Sequence, residues 1–308
     1  MTAFIAVDWG STSFRAWSIR AGGQVLAESR SAEGMLHCAG SATGFAPVLQ
    51  AHLAHLAAPA DTPVLICGMA GARQGWIEAP YATLPAPVAA LAGAAVRVPA
   101  EQTEGRDVRI LPGLAQQIES DVMRGEETQL LGLALAGHQG LACMPGTHCK
   151  WALLQNGQVA GFRSYLTGEL FDLLSRHSIL RHAMPESLRI APDDPAFLAA
   201  LDLALADPAA LFGALFGIRA AELLGTRSKG ESAARLSGLL IGAEVGCQLR
   251  AAEGQAVVLV GQAGLGALYA AALHRAGLSF TPAYAEEATR AGLIAAAREI
   301  WGTAQCKQ

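Results

Sequence analysis

The chain carries one unusual layout twice. Phe4-Ile-Ala-Val-Asp8-Trp-Gly10-Ser11-Thr12-Ser13 is an apolar, β-prone run that reaches an acid, turns on a glycine and opens a second strand through hydroxyl residues. Leu141-Ala-Cys-Met-Pro145-Gly146-Thr147-His148-Cys-Lys150-Trp151 repeats it, so that Gly10 matches Gly146 and Ser11 matches Thr147. Downstream, Gly23-Gln24-Val25 finds a counterpart in Gly157-Gln158-Val159, a tight turn before a third strand in each case. Two strand–turn–strand units so far apart imply a duplicated domain. Such a hairpin aims backbone N–H groups, hydroxyls and a carboxylate at one point. That set suits a polyphosphate with its Mg²⁺: amides and hydroxyls meet phosphate oxygens, and the acid holds the water shell of the metal. Turns often contain Asp, Gly and Ser for conformational reasons alone, so the repetition carries the weight. The halves are not chemically equivalent, because Met144 stands where the first has Asp8.

A length of 308 residues allows about two domains, each with its own core. With 52% apolar and 16% charged residues the chain is compact and globular, not disordered. A net charge of −4 with singly scattered Lys and Arg excludes nucleic acid as a partner and requires a phosphate ligand to be small and held locally. No basic and apolar leader precedes the first strand, so no signal peptide is expected. Residues 79–96 are broken by Pro80, Pro85 and Pro87, and residues 254–274 by Gly261, Gly264 and Gly266 with Gln262, so no membrane partner is expected. Cys38, Cys67, Cys143, Cys149, Cys247 and Cys306 show no paired spacing, which points to reduced thiols in a cytoplasmic protein.

Between the hairpins, the apolar spacing of Phe45 to Leu56 predicts an amphipathic helix, with His52 and His55 read as exposed helix histidines rather than a metal pair. Val64–Cys67 is a buried strand, and Gly68 to Trp76 is the loop at its carboxyl end, where ligands of α/β sheets tend to sit. Arg73, Gln74 and Trp76 there either hold an anionic, hydroxylated substrate or belong to an ordinary Gly-rich connection. Val108–Leu111 is a further strand. Asp121, Glu126 and Glu127 precede or open a helix that ends near Gly137; the helix dipole accounts for one acid more readily than for three. A carboxylate just ahead of the second hairpin is placed to act as a base.

Residues 161–180 read as a strand turning into a helix. Asp194-Pro195 and Asp207-Pro208 mark two short helices across 183–217, expected to be an insertion without a catalytic role. Gly238, Gly242 and Gly246 recur at fourfold spacing on the helix Ala233–Leu249; they allow close backbone approach, to a sheet more often than to a flat ligand. Val257–Val260 is the last clear strand. Gly261-Gln-Ala-Gly264-Leu-Gly266 reverses the glycine order of a dinucleotide fingerprint and suits packing on adenine or ribose. A final helix runs from about Glu286 to Trp301.

Together these pieces resemble the actin–hexokinase–heat-shock ATPase superfamily, in which two related domains close on ATP between two phosphate hairpins. Several strings are similar to one family, 2-dehydro-3-deoxygalactonokinase: Asp8-Trp-Gly-Ser-Thr, Gly71-Ala-Arg-Gln-Gly-Trp-Ile-Glu-Ala-Pro80-Tyr81, Met123-Arg-Gly-Glu-Glu-Thr-Gln-Leu130, Met144-Pro-Gly-Thr-His-Cys-Lys-Trp151, Leu166-Thr-Gly-Glu-Leu and Ser237-Gly-Leu-Leu-Ile-Gly-Ala-Glu244. The resemblance runs in order from residue 4 to about 300; the first hairpin is shared by many sugar kinases, and the longer strings are specific. The resemblance implies an α/β fold of two related ribonuclease H-like domains, about 1–136 and 137–308, with a nucleotide cleft between them. It implies phosphoryl transfer from ATP, with Mg²⁺, to the C6 hydroxyl of 2-dehydro-3-deoxy-D-galactonate in galactonate catabolism.

By the same resemblance Asp8 holds the Mg²⁺ water shell and Gly10, Ser11 and Thr12 hold the γ-phosphate. Gly146, Thr147 and His148 hold the β/γ side, and Gly261 and Gly264 border the adenosine. Lys150 either joins them or points away from the second strand. Glu127 is the choice of base, with Glu126 and Asp121 as rivals, because Gly-Glu-Glu also resembles the exopolyphosphatase branch. Arg73 and Arg163 are placed on the substrate carboxylate, a group that a guanidinium binds through two bonds. Three alternatives stay open: a kinase for the gluconate epimer, an exopolyphosphatase-like phosphohydrolase, and a nucleotide switch or filament former. Self-association into a homo-oligomer is compatible with each.

Overall fold

The computed structural model describes residues 2–41, 44–261 and 264–305, so Gln262 and Cys306 lie outside the described residues. The chain divides into two compact units. The first is Met1–Gln139, Leu154–Gly161 and Ala285–Gln308; the second is Gly140–Leu153 and Phe162–Tyr284. Unlike a single cut after residue 136, this division places the turn around Asn156 and Gly157 and the last helix in the first unit.

In the first unit, β1 (Thr2–Trp9), β2 (Phe14–Arg20) and β3 (Val25–Ser31) form an antiparallel meander. Two helices, α1 (Met35–Ala39) and α2 (Phe45–His55), carry the chain to β4 (Val64–Gly68), which runs parallel to β1 on its other side. Ile5, Ala6, Val7 and Trp9 are all fully buried; a central strand covered on both faces needs such a continuous apolar run. Asp8 interrupts it. Three short strands follow, β5 (Tyr81–Thr83), β6 (Ala86–Pro87) and β7 (Val96–Arg97), then β8 (Val108–Ile110), and the sheet order is β3-β2-β1-β4-β8-β7. β9 (Gly113–Gln116) and β10 (Asp121–Met123) complete a small second sheet with β5, and α3 (Glu126–Leu135) follows. Asp121 thus lies on a strand, apart from the glutamates that open α3.

The face of α2 turned to the sheet carries Phe45, Val48, Leu49 and Leu53 into the core. His52 goes with them, which corrects its expected exposure. It is buried, stacked on Phe14 with ring centroids 4.1 Å apart, and within 2.7 Å of Ser29 Oγ and 3.0 Å of Ser31 Oγ. His55 is exposed. Among the described residues no group of His, Cys, Asp and Glu could hold a metal ion by itself.

The second unit repeats the topology. β11 (Gly140–Met144), β12 (Cys149–Gln155) and β13 (Gln158–Tyr165) are the meander, followed by α4 (Thr167–Arg176). Next come α5 (Pro195–Ala206), α6 (Ala210–Leu223) and α7 (Lys229–Ala252), the last started by a capping box between Ser228 and Glu231. β14 (Val257–Val260) returns parallel to β11, then α8 (Leu265–Arg275) and β15 (Phe280–Ala283), giving the order β15-β14-β11-β12-β13. The run β13-β12-β11-β14 reproduces β3-β2-β1-β4, the duplication that the two hairpins announce. Gly238, Gly242 and Gly246 do allow close approach, but to a helix. A Cβ at Gly238 would lie 2.3 Å from Phe197 O, and one at Gly242 would lie 2.7 Å from Leu201 O, both on α5.

The chain ends in α9 (Ala285–Gln305), broken at Gly302, which packs on α3, β1 and β4 of the first unit. No helix among the described residues is long and apolar enough to cross a membrane.

Candidate active site

In the first unit the acids gather where β1 and β4 end. Asp8 pairs with Cys67 and Trp9 with Gly68 across the parallel ladder. Gly68 has φ 93°, and a Cβ there would lie 2.7 Å from Trp9 O and 3.6 Å from Asp8 Oδ1, so only glycine lets the chain turn beside the acid. Gly125, at φ 107°, places the start of α3 against the same turn, its Cβ position 3.5 Å from Gly68 Cα. Glu126 and Glu127 are the first two residues of that helix.

The two differ sharply in surroundings. Glu127 is fully buried; it accepts the Gly125 N–H at 2.6 Å and the Thr128 hydroxyl at 2.9 Å. Burial, reinforced by Glu126, pushes its pKa up to about 8. Glu126 is half-buried and accepts the Arg124 N–H at 3.2 Å. Asp8 lies 3.7 Å from Arg15 Nη1. Burial raises its pKa, Arg15 opposes this, and Glu126 and Glu286 add to the rise.

The Glu127 shift is also a statement about stability. A carboxyl bound to its proton more tightly in the folded than in the unfolded chain stabilises the fold fully below its ordinary value of 4.5, and that contribution is lost as pH rises through about 8. Across this window the loss is on the order of a few kcal/mol. Glu127→Gln cannot ionise. Thermal midpoints measured across the window should fall less steeply for the variant than for the wild type, and parallel curves would refute the assignment.

The first hairpin turn is held from behind. Gly10 N–H donates to Ser13 O at 2.9 Å, while Met35 and Leu36 N–H donate to Gly10 O and Ser11 O at 2.9 and 3.0 Å. Ser11 and Thr12 are left exposed. Arg73 and Gln74 are exposed on the loop after β4. Trp76 is half-buried: it stacks on Phe45 at 6.0 Å, meets Trp9 edge-on at 6.1 Å and donates to Gln102 Oε1 at 2.7 Å. Arg163 is exposed on β13, in the second unit.

Sequence reasoning missed Arg124 as a support of this loop. Its buried guanidinium donates to Ala79 O at 2.8 Å and lies over the Tyr81 ring at 4.2 Å. The signal available was an arginine in front of the Gly-Glu-Glu string. The fold that brings it beneath residues 71–81 was not.

In the second unit Gly146 is half-buried, Thr147 and His148 are exposed, and Lys150 is buried rather than pointing out from its strand. The N-terminus of α4 sits on this turn. Glu169 N–H donates to Thr147 O at 3.0 Å, and His148 Nε2 lies 2.6 Å from Glu169 Oε2. A Cβ at Gly168 would lie 2.5 Å from Gly146 O. Behind α4 opens a largely apolar cavity of about 670 Å³, a size suited to a nucleoside. Thr167 and Gly168 line it with Ser237 and Ile241 of α7, and Gly264 and Leu268 close it at α8. Gly261 is not on this wall; its N–H donates to Ala283 O at 2.8 Å. Leu188, Arg189, Ile190 and Ala191 also line the cavity. Part of the segment expected to be an insertion without a catalytic role therefore lines this cavity.

A profile of the 2-keto-3-deoxy-galactonokinase family matches residues 8–296. The chain belongs to that family. It is 50% identical over 303 residues to the "Probable 2-dehydro-3-deoxygalactonokinase DgoK1" of Rhizobium meliloti (strain 1021), with 97% of each chain covered. To the 2-dehydro-3-deoxygalactonokinase of Escherichia coli (strain K12) it is 37% identical over 305 residues, covering 97% of this chain and 99% of the other. A crystal structure of a candidate 2-dehydro-3-deoxygalactonokinase from Sinorhizobium meliloti is similar with a TM-score of 0.90 at 50% identity, covering 97% of both chains. As a member of the 2-keto-3-deoxy-galactonokinase family the protein is a phosphotransferase. The matched span contains Asp8, the turns of both hairpins, the α3 glutamates and the cavity walls.

Proposed function

We propose that the protein transfers the γ-phosphoryl group of ATP to the C6 hydroxyl of 2-dehydro-3-deoxy-D-galactonate. The products are ADP and 2-dehydro-3-deoxy-6-phosphogalactonate, in galactonate catabolism. The observation that carries this reading is similarity over nearly the whole chain to two relatives named for that substrate. The acid cluster, the two hydroxyl-bearing turns and the nucleoside-sized cavity support it.

In this reading the cavity holds the adenosine, bordered by Gly264, while Gly146, Thr147 and His148 hold the β/γ side. Gly10, Ser11 and Thr12 hold the γ-phosphate. Asp8 suits Mg²⁺ arriving with the nucleotide, since that ion takes one or two carboxylates and completes its shell with phosphate oxygens and water. Bound Mg²⁺ neutralises charge developing on the phosphates. Arg73 and Gln74, with Arg163, meet the sugar acid, and Trp76 fixes the loop that presents them. Buried free thiols at Cys38, Cys67, Cys143 and Cys149 suit a reducing cytoplasm.

Glu127 is our choice of base, with Glu126 and Asp8 as the other acids of the cluster. The attacking alcohol needs a base only late in transfer. Glu127 has a pKa near working pH but spends its oxygens on Gly125 and Thr128; Glu126 is more exposed. Glu127→Gln should bind ATP normally and lose most turnover, and the wild-type rate should climb with pH through about 8. Near-normal turnover of the variant would move the role to Glu126.

The decisive assay is ADP release from Mg-ATP with 2-dehydro-3-deoxygalactonate, with its gluconate epimer, and with neither. Strong preference for the first supports the assignment. Equal use of both would make the enzyme a broad sugar-acid kinase, and release indifferent to sugar acid would replace the kinase with a hydrolase.

A further inference from the structure

We infer that Glu244 is a positioning residue for nucleotide binding, tying the walls of the cavity to the phosphate-binding turn of the second unit through one buried carboxylate. The inference rests on the reading that ATP occupies this cavity.

Glu244 lies on α7 and is 2% exposed. Its Oε1 accepts the Trp151 indole N–H at 2.8 Å, and its Oε2 accepts the Tyr269 hydroxyl at 2.6 Å and the Thr167 hydroxyl. These donors stand on β12, α8 and α4, so one side chain on α7 fixes three other elements. Burying a carboxyl this deeply is costly unless its donors are in place, and an apolar residue of similar volume would leave all three of those donors unpaired. What the carboxylate adds is direction. Its oxygens accept at defined angles and hold each donor in one orientation.

Those donors lead to the binding surfaces. Thr167 is the first residue of α4 and lines the cavity with Gly168. Gly168 is packed against Gly146 O and Thr147, and Glu169 N–H holds Thr147 O. Trp151 follows the same turn on β12. Ser237 and Ile241 of α7 and Leu268 of α8 line the cavity on either side of the shared carboxylate. Adenosine and phosphate contacts therefore move together only while Glu244 holds α4, α7 and α8 in register. Glu244 itself does not line the cavity.

The test uses the full-length protein and two variants. Glu244→Gln keeps the shape, and the Thr167 and Tyr269 hydroxyls can turn to accept from the amide, so the fold is retained. Tyr269→Phe removes one donor at a residue that does not line the cavity. Binding of a non-hydrolysable ATP analogue, measured by calorimetry without sugar acid, should weaken roughly tenfold in Glu244→Gln and by less in Tyr269→Phe. KM for ATP should rise in step while KM for the sugar acid stays unchanged. The double variant should be no weaker than Glu244→Gln alone, since both act through the same carboxylate. If both variants lower only the thermal midpoint and bind the analogue like wild type, Glu244 is structural and the inference fails. Wild-type protein that binds no adenine nucleotide would overturn the kinase reading, and this inference with it. That outcome is visible before any variant is made.

Discussion

Asp8→Asn is expected to lower turnover by about a thousandfold or more while the protein stays folded and still binds nucleotide. The substitution keeps the size of the side chain and removes only its charge. Asp8 sits at the end of β1 between Arg15 on one neighbouring strand and Cys67 on the other, with Glu126 and Glu286 adding negative potential. In the proposed reading this carboxylate faces the metal–phosphate assembly, and losing its charge removes stabilisation of that assembly. Stability should not fall with activity. Burial raises the pKa of this carboxyl, which means that the folded chain holds the charge at a cost, and a neutral amide relieves it. The partly exposed contact with Arg15, at 3.7 Å, is worth little by itself. Single-turnover rates with Mg-ATP, set beside thermal midpoints, separate the two effects. A variant keeping a tenth of the wild-type rate would take Asp8 out of the chemistry.

What was legible before the structure was whatever short stretches encode. Apolar runs ending in Gly10 and Gly146 announce two hairpins because strand, turn and strand are local, and their repetition discloses the duplicated sheet order. The corrections arise where a residue's role is decided by something distant in the chain. His52 follows the helical period of α2, but only the sheet beneath decides that its face is buried and that Ser29 and Ser31 receive it. Gly238 and Gly242 advertise close approach without naming the partner, which proved to be α5. Residues 188–191 fall in the stretch read as two short helices of an insertion and come to line the cavity only through the placement of α4, α7 and α8. The sequence around Glu244 carries no sign of its role, since its donors come from three other segments. Glu126 and Glu127 are adjacent in sequence, and only the burial of one sets them apart.

The largest loss of stability is expected from Gly292→Val. Gly292 of α9 faces Thr128 of α3, and a Cβ there would lie 2.0 Å from Thr128 O. The contact is matched one turn along, where a Cβ at Gly132 would lie 2.2 Å from Ala288 O. Each helix presents a notch to the backbone of the other, and no rotamer of valine can evade a clash with a main-chain oxygen. The helices must separate, which uncovers packing around buried Thr128, Ala288, Thr289 and Leu293. Overpacking of this kind costs about 3 kcal/mol or more. Because α3 begins at Glu126 and Glu127, the same displacement should depress turnover even at temperatures where the variant remains folded. Gly213→Ala is the control: nothing lies within 4 Å of its Cβ position on α6, and alanine there should stabilise by about 0.5–1 kcal/mol. Denaturant midpoints for the two variants should move in opposite directions. Equal, small shifts would show that α3 and α9 are not held at this distance and that the glutamates owe their placement to something other than the glycine notches.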